Sequence, residues 1–290
     1  MATTRDWIDG ARPRTLWTAI AAVVVGSACA AQVGSWRPGL AGLALLVGLA
    51  LQIASNYAND YADGIKGTDV NRVGPTRLVA SGRARPSAVK RAAWVASAVG
   101  VAAGVALCAL SQLWWLVGVG AVAVAAAWAY TATASPYGYR GWGEVSVWVF
   151  FGPVAVLGTM ATQARSVTWW AVVASVGVGL NAVALLMVNN IRDLDGDALA
   201  GKRTLVVRLG SLRSRRLFAA VVLTPLVCVA VVSFALPWVL MATVVAAPAL
   251  LAAITVLVGA RGIALKPVFL GLGWIGMAYA ALVALGIVVS

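Results

Sequence analysis

Long apolar runs dominate the chain, and short polar segments that carry nearly all of its charge separate them. A helix that crosses a membrane needs about 20 mostly apolar residues. Runs of suitable length lie near residues 15–33, 40–58, 90–110, 113–133, 143–163, 168–190, 217–235, 237–258 and 267–289. The pattern therefore predicts an all-α integral membrane protein with nine transmembrane helices, in which residues 1–290 form a single transmembrane domain.

The composition supports a lipid environment. Hydrophobic residues make up 62% of the chain and charged residues only 11%, whereas soluble domains carry about 25% charged residues. The net charge of +13 could suggest a nucleic-acid partner. The basic residues form no stripe apart from the apolar runs, so we expect the bilayer, and no nucleic acid, as the partner.

The charged residues also predict the orientation in the membrane. If the nine runs alternate in direction, 20 of the 22 Lys and Arg residues fall on one side, and only Arg37 and Arg165 fall on the other. The positive-inside rule then places the N-terminus and the charged loops in the cytoplasm, and the C-terminus outside a cell membrane. All nine acids map to the same cytoplasmic side. The absence of an acid near the bilayer centre disfavours an ion or proton pathway.

A first cluster of acids ends the second apolar run. Asn56, Asp60 and Asp63 are spaced i, i+4 and i+7, which places them within roughly 60° of one another on one face of a helix. Such charges can be the solvated flank of a membrane helix. An in-phase amide and two carboxylates favour a site for a hard cation with oxygen ligands.

The glycines that follow this face predict where its helix weakens. Gly64 and Gly67 favour a loop, so we expect Lys66 and Asp69 to lie on it. Asp69 could bind a metal through water, pair with a nearby arginine or remain solvated.

A second cluster of acids ends the sixth apolar run in the same way. Asn190, Asp193 and Asp197 are spaced i, i+3 and i+7, again within roughly 60° on a helix. Asn189 is an alternative amide ligand, because it lies four residues before Asp193, and spacing does not choose between the two amides.

The two acidic segments, 56–69 and 189–203, form a weak internal repeat on one side of the membrane. Four carboxylates close together repel one another unless cations neutralise them. Mg²⁺ binds one or two carboxylates and completes its shell with water and phosphate oxygens. The repeat therefore predicts a diphosphate held by two Mg²⁺ ions, one from each face. The candidate metal ligands are Asn56, Asp60, Asp63, Asn189, Asn190, Asp193 and Asp197.

Basic residues follow each acidic face and could hold the departing diphosphate. They are Lys66, Arg72, Arg77, Lys202 and Arg203. The alternative role for these cations is to anchor the cytoplasmic loops. The chain has no histidine, which excludes histidine-based catalysis and metal ligation, and its three cysteines lie in apolar runs as core residues.

The paired NxxxDxxD and NxxDxxxD faces resemble the UbiA superfamily of intramembrane prenyltransferases. Local matches resemble its branch that acts on 1,4-dihydroxy-2-naphthoate, over about residues 11–210. They are RPRTL at 12–16, NDYADGIKGTD at 59–69, YTATASPYGYRGWGE at 130–144 and NNIRDLDGDALAGKRTLVVRLG at 189–210.

This resemblance implies Mg²⁺-dependent transfer of a polyprenyl group from polyprenyl diphosphate to 1,4-dihydroxy-2-naphthoate, with loss of CO₂ and diphosphate, giving demethylmenaquinone. It also implies nine helices around a central cavity, capped by two Asp-rich cytoplasmic loops. Transfer to another aromatic acceptor, such as 4-hydroxybenzoate or homogentisate, is an alternative, and a transporter is a further one.

The resemblance assigns roles to residues of this chain. The catalytic set is Asp60, Asp63, Asp193, Asp197, Lys66 and Lys202. Tyr130 and Tyr139 are candidates to shield an allylic cation from water, although packing is an equal alternative for each. Arg140 and Tyr139 are candidates to bind the carboxylate of the naphthoate.

Overall fold

The structure, a computed structural model, describes residues 2–67 and 77–290. Those residues form helices and connecting turns, without a β-strand. The α-helices are Thr4–Ala11 (α1), Trp17–Gln32 (α2), Pro38–Lys66 (α3), Pro86–Ser111 (α4), Leu116–Ala129 (α5), Gly143–Val149 (α6), Ala155–Ala164 (α7), Trp169–Arg192 (α8), Leu194–Leu199 (α9), Leu205–Val232 (α10), Ala246–Leu257 (α11) and Lys266–Val289 (α12).

Seven helical segments of the described chain are long and apolar enough to cross a membrane. They confirm seven of the expected runs and are Pro38–Lys66, Pro86–Ser111, Gly143–Ala164, Trp169–Arg192, Leu205–Val232, Pro237–Leu257 and Gly262–Val289. The protein is therefore a multi-pass membrane protein.

The other two expected spans are less regular. The run at 15–33 becomes α2, which joins the N-terminal helix Thr4–Thr15 through a bend of 48° and counts as an eighth span only together with it. The run at 113–133 contains α5, which has 14 residues. An α-helix of that length rises roughly 21 Å, less than the hydrocarbon core of about 30 Å. Nine crossings therefore remain a prediction.

Two membrane helices depart from regular α-helical geometry, one at a proline and one at a glycine. Pro153 lies in a π-helical turn, Phe150–Val154, which joins α6 to α7 within one span. This is the expected response of a helix to a proline that cannot donate an N–H bond. In α10, Gly210 adopts φ 74° and separates the first turn from the long apolar part.

The largest core cluster lies among α2, α7, α8, α10, α11 and α12. α3 packs mainly along α4, and its C-terminal half also contacts α1. The three cysteines are buried and free, which confirms their expected role as small core residues.

The end of α3 corrects one expectation about the first acidic segment. Lys66 is the last residue of the helix, not a loop residue, because Gly67 in the left-handed conformation (φ 69°) caps it. Gly64 remains helical, and a Cβ at this position would overlap the side chain of Val79. This glycine therefore permits close packing of the following segment, and the acidic face continues unbroken to the helix end.

We expect Gly26→Ala to destabilise the bundle. A Cβ on Gly26 of α2 would lie 2.5 Å from the carbonyl oxygen of Val156 and 2.7 Å from Cβ of Thr159, so α7 has to move away. Overpacking of this kind costs about 1–3 kcal/mol, and we expect the melting temperature in detergent to fall by several degrees. Gly42→Ala in α3 is the matched control, since no atom lies within 4 Å of its added Cβ. Equal melting temperatures for the two variants would contradict the close α2–α7 packing.

Candidate functional site

The first acidic face lies on the last turns of α3 and is buried. Asn56, Asp60 and Asp63 are exposed by only 7%, 1% and 3%, so they are not the solvated flank of a membrane helix. The helix is continuous through all three residues, as predicted. The amide of Asn56 donates to the carbonyl oxygen of Ala11, 2.9 Å away, and so fastens the N-terminal segment beside the acids.

Asp60 organises the chain that follows the helix. Its two carboxylate oxygens accept the backbone N–H bonds of Leu78 (2.9 Å) and Val79 (3.0 Å). These bonds hold the neighbouring Arg77 against the end of α3. Each carboxylate oxygen has a second lone pair, so the two bonds leave Asp60 able to accept from a further group.

Asp63 is the meeting point of three segments. It accepts a hydrogen bond from the hydroxyl of Tyr139. Its Oδ2 atom lies 3.6 Å from Nη2 of Arg77 and 3.6 Å from Nζ of Lys202. Since Lys202 belongs to the second acidic segment, the structure brings the two predicted halves of the site together.

The second acidic face is bent rather than a single helix. α8 ends at Arg192, Asp193 occupies the turn, and α9 begins at Leu194. The guanidinium of Arg192 donates to both oxygens of Asp193 at 2.7 and 2.8 Å. Asp195 is exposed, whereas Asp193 and Asp197 are half-buried.

Lys202 connects the two faces. Its ammonium nitrogen lies 3.6 Å from Asp63, 3.8 Å from Asp197 and 4.9 Å from the centre of the Tyr139 ring. The residue is only 7% exposed, so its charge is held among the carboxylates instead of in water. Asp63 and Asp197 are therefore close enough to share one cation.

The remaining predicted cations lie around this cluster. Nζ of Lys66 donates to the carbonyl oxygens of Thr131 (2.9 Å) and Thr133 (3.1 Å) and lies 5.2 Å from the Tyr139 ring. The side chain of Arg203 is exposed, and its backbone N–H donates to the carbonyl of Tyr139 at 2.9 Å. Arg140 is exposed and donates to the hydroxyl of Ser135. Tyr139 is thus central to the cluster, and Arg140 lies at its edge.

Two other tyrosines precede Tyr139 in the chain. Tyr130 and Tyr137 pack edge to face, with ring centres 5.5 Å apart. Burial raises the pKa of Tyr137, and its hydrogen bond with Ser146 only partly opposes that effect. The phenol therefore stays neutral at physiological pH and remains a hydrogen-bond donor.

Three site residues were not predicted from the sequence. Arg12 lies in the RPRTL motif, adopts φ 55°, and is close enough to Asp60 to stabilise its carboxylate. Asn59 accepts the hydroxyl hydrogen bond of Thr131. Glu144 accepts a bond from the amide of Asn190 (2.9 Å), so this amide is directed to a carboxylate that the sequence analysis left without a role. The position of Glu144 as the chain's only glutamate, at the start of a span, was the available signal.

Some predicted ligands do not converge. Within residues 2–67 and 77–290, no three His, Cys, Asp or Glu side chains lie close enough together to hold one metal ion. Asp63 and Asp197 meet through Lys202, whereas Asp60 and Asp193 have other partners. Asn189 is half-buried at the end of α8. Asp69 and Arg72 lie outside the described residues.

Comparison with known proteins finds a matching family and similar sequences. The sequence model of the UbiA prenyltransferase family matches residues 15–262. A 1,4-dihydroxy-2-naphthoate octaprenyltransferase of Mycobacterium tuberculosis is 47% identical over 286 residues, covering 98% of this chain and 97% of the relative. The enzyme of the same name from Escherichia coli is 40% identical over 233 residues, covering 78% of this chain and 76% of the relative.

Solved structures share the fold at low sequence identity. A UbiA homolog from Aeropyrum pernix K1 superposes with a TM-score of 0.70 at 18% identity, covering 93% of this chain and 97% of that protein. A UbiA homolog from Archaeoglobus fulgidus, bound to GPP and Mg²⁺, has a TM-score of 0.63 at 14% identity and covers 96% and 99%. The arrangement of helices in this chain is therefore that of these proteins.

Proposed function

This chain belongs to the UbiA prenyltransferase family, and we propose that it transfers a polyprenyl group from polyprenyl diphosphate to 1,4-dihydroxy-2-naphthoate. The reaction releases CO₂ and diphosphate and gives demethylmenaquinol, the reduced form of demethylmenaquinone, in a step of menaquinone biosynthesis. Two relatives whose names state this acceptor are 40–47% identical over most of the chain. The acceptor rests on those relatives, and the diphosphate chemistry rests on the site itself.

The observation that carries the diphosphate chemistry is the junction of Asp63, Lys202 and Asp197. Carboxylates from both acidic faces lie within 4 Å of one buried ammonium group. The space between Asp63 and Asp197 attracts a cation, because a carboxylate lies on each side of it. Such a space would suit a metal ion that also binds phosphate oxygens. Arg77 and Lys66 stand beside it, and their charges favour an anion at the same place.

The donors at this junction fit Mg²⁺. Carboxylate and amide oxygens are its preferred ligands, together with water and phosphate, and the ammonium of Lys202 marks a space where a positive charge is already stabilised. Two ions are assigned, one to each face. The first would be held by Asn56, Asp60 and Asp63, and the second would be held by Asp193, Asp197 and one of the amides of Asn189 and Asn190. Bound Mg²⁺ supplies Lewis-acid stabilisation of the diphosphate charge.

The chain's own cations complete the stabilisation. Arg77 and Lys202 are 8% and 7% exposed, so their charges act on the departing diphosphate with little screening by water. The ammonium groups of Lys66 and Lys202 both lie against the ring of Tyr139. The tyrosine ring offers a weak nucleophile near a developing allylic cation, which favours capture by the acceptor over capture by water. The exposed Arg203 extends the basic rim, and Arg72, which lies outside the described residues, is proposed as a further diphosphate-binding cation from its place in the sequence.

The protein is placed in the cell membrane with the site on the cytoplasmic side, the N-terminus inside and Ser290 outside. The distribution of Lys and Arg supports this orientation. This orientation requires nine membrane crossings. The short helix α5 would be one of them, and its polar flanking residues would reach the membrane interfaces.

A direct assay tests the proposed function. Purified protein in lipid vesicles receives a labelled polyprenyl diphosphate, 1,4-dihydroxy-2-naphthoate and Mg²⁺, with and without a chelator. We expect a prenylated naphthoquinol and released CO₂, and removal of the divalent metal should lower turnover by at least about 10³-fold. Parallel reactions contain 4-hydroxybenzoate or homogentisate as acceptor.

The parallel reactions separate the parts of this proposal. Faster prenylation of 4-hydroxybenzoate or homogentisate would overturn the acceptor and keep the reaction class. Unchanged turnover after metal removal would overturn the metal assignment.

A further inference from the structure

Arg215 of α10 is a buried basic residue, only 5% exposed. Its Nε atom donates a hydrogen bond to the hydroxyl of Ser211, 3.0 Å away on the preceding turn. Its Nη1 atom donates to the carbonyl oxygen of Val256 near the end of α11. Both acceptors are neutral. The guanidinium is therefore fixed between α10 and α11 with its full positive charge.

Arg261 adds a second positive charge at the same place. It follows the end of α11 at Leu257 by four residues and is close enough to Arg215 to repel its charge. Within residues 2–67 and 77–290, neither arginine forms an ion pair with a carboxylate. A buried charge is costly without an opposite charge beside it. Arg215 and Arg261 therefore favour an anion as their common partner.

The guanidinium of Arg215 has one edge left to bind such an anion. Its Nη2 atom has no hydrogen bond to a residue that the structure describes, and it is not enclosed by the protein. A guanidinium presents its donors in a planar fork that matches the oxygens of a phosphate group. A phosphate bound to Nη2 would also lie in the field of the exposed Arg261.

The position of Arg215 along α10 places this charge near one face of the bilayer. Arg215 precedes the last residue of the helix, Val232, by 17 residues, which is a rise of roughly 26 Å. The hydrocarbon core is about 30 Å thick. If Val232 lies near one edge of that core, the guanidinium lies near the other, at the level of the phospholipid phosphates.

Large apolar side chains flank the two arginines in the chain and are exposed. Leu212 lies one turn before Arg215, and the others end α11 or follow Arg261. They are Leu212, Leu257, Val258 and Ile263. A free phosphate ion would leave this apolar surface uncovered, whereas a phospholipid brings hydrocarbon to it together with a phosphate. The surroundings therefore favour a lipid as the source of the phosphate.

We propose that Arg215 and Arg261 bind the phosphate of an anionic phospholipid. Two positive charges favour a headgroup with net negative charge, because they would repel the ammonium group of a zwitterionic headgroup. The general preference of basic residues for one side of a membrane accounts for exposed arginines such as Arg213, but it does not account for a buried guanidinium. Ser211 and Val256, which hold Arg215, are not part of the diphosphate cluster, so this site is separate from prenyl transfer.

Native mass spectrometry of the full-length protein in detergent tests the inference. Phosphatidylglycerol or phosphatidylcholine with the same acyl chains is titrated, and the dissociation constant of the first bound lipid is measured for each. We expect wild type to bind phosphatidylglycerol about tenfold more tightly than phosphatidylcholine. Arg261→Gln should weaken phosphatidylglycerol binding about fivefold, the contribution of one basic residue beside an anionic lipid. Its binding of phosphatidylcholine should stay unchanged.

Two further variants complete the test. Arg215→Gln should weaken phosphatidylglycerol binding at least as much as Arg261→Gln, and the exposed Arg261 keeps the test valid if loss of the bond to Val256 unfolds the other variant. Arg213→Gln is the matched control, because Arg213 is exposed and lies roughly 200° from Arg215 around α10. It should bind both lipids within about twofold of wild type. Melting temperatures check the folding of each variant.

Three results would contradict the proposed site. Equal weakening by Arg213→Gln and Arg261→Gln would indicate general attraction to surface charge. Equal affinity of wild type for the two lipids would remove the preference for an anionic headgroup. Displacement of phosphatidylglycerol by an equal concentration of inorganic phosphate would assign the site to a free phosphate ion instead of a lipid.

Discussion

Asp63→Asn is expected to reduce prenyl transfer by about 10³-fold while the protein still inserts and folds. Asp63 is the carboxylate that Arg77, Lys202 and Tyr139 share. Asparagine keeps the size and one acceptor oxygen but removes the charge. Two buried cations then lose their common counter-ion, and the first face loses one of its proposed metal ligands. Initial rates at saturating prenyl diphosphate and Mg²⁺ measure the effect.

Asp195→Asn is the matched control for this experiment. It makes the same chemical change on the exposed side of the second acidic segment, and we expect turnover within about twofold of wild type, as for most exposed substitutions. Wild-type turnover in Asp63→Asn, or equal losses in both variants, would remove Asp63 from the catalytic centre. Thermal unfolding of both proteins checks that the losses do not reflect misfolding.

Lys202→Met should lower turnover, and in metal-free buffer it should also lower the melting temperature. Loss of the ammonium removes a cation from the departing diphosphate, so turnover should fall by about 10²- to 10³-fold. In metal-free buffer, Asp63 and Asp197 also lose the charge that separates them, so the melting temperature should fall by several degrees. Added Mg²⁺ should restore it, because the metal then supplies the missing positive charge.

The exposed Lys90→Met variant controls for loss of a lysine. Its melting temperature should depend on Mg²⁺ as that of wild type does. If Mg²⁺ failed to stabilise Lys202→Met more than wild type, Lys202 would not occupy the position between the two carboxylates.

Periodicity predicted which side of each helix carries the acids but not the partners of those acids. The spacing of Asn56, Asp60 and Asp63 requires only the geometry of one helix, and the structure has that face. Asp60 accepts hydrogen bonds from the backbone N–H groups of Leu78 and Val79, which return to it after the end of α3. No local sequence pattern encodes that return. The same reason explains why the role of Asp60 in holding Arg77 was not foreseen.

The second face shows the limit of an ideal-helix argument. Asn190 and Asp197 share a face only if the helix continues, and the turn at Asp193 breaks it. The amide of Asn190 then reaches Glu144. The short length of α5 was not predicted for a similar reason. Hydropathy counts apolar residues and does not detect where the chain turns. The single-helix properties of this protein were thus predictable, whereas contacts between helices required the structure.

The length of α3 has a consequence for how the enzyme meets its lipid substrate. This helix has 29 residues and extends roughly 43 Å, well beyond a hydrocarbon core of about 30 Å. With the proposed cytoplasmic site, its acidic turns lie at the depth of the lipid headgroups, where the phosphates of the proposed substrate, a membrane-dissolved prenyl diphosphate, also reside. Such a substrate reaches the site by lateral diffusion in two dimensions, without leaving the leaflet. The rate at which the protein meets this substrate then depends on the amount of substrate per membrane area. Adding other lipids lowers that surface density even when the amount of substrate per volume of sample stays constant.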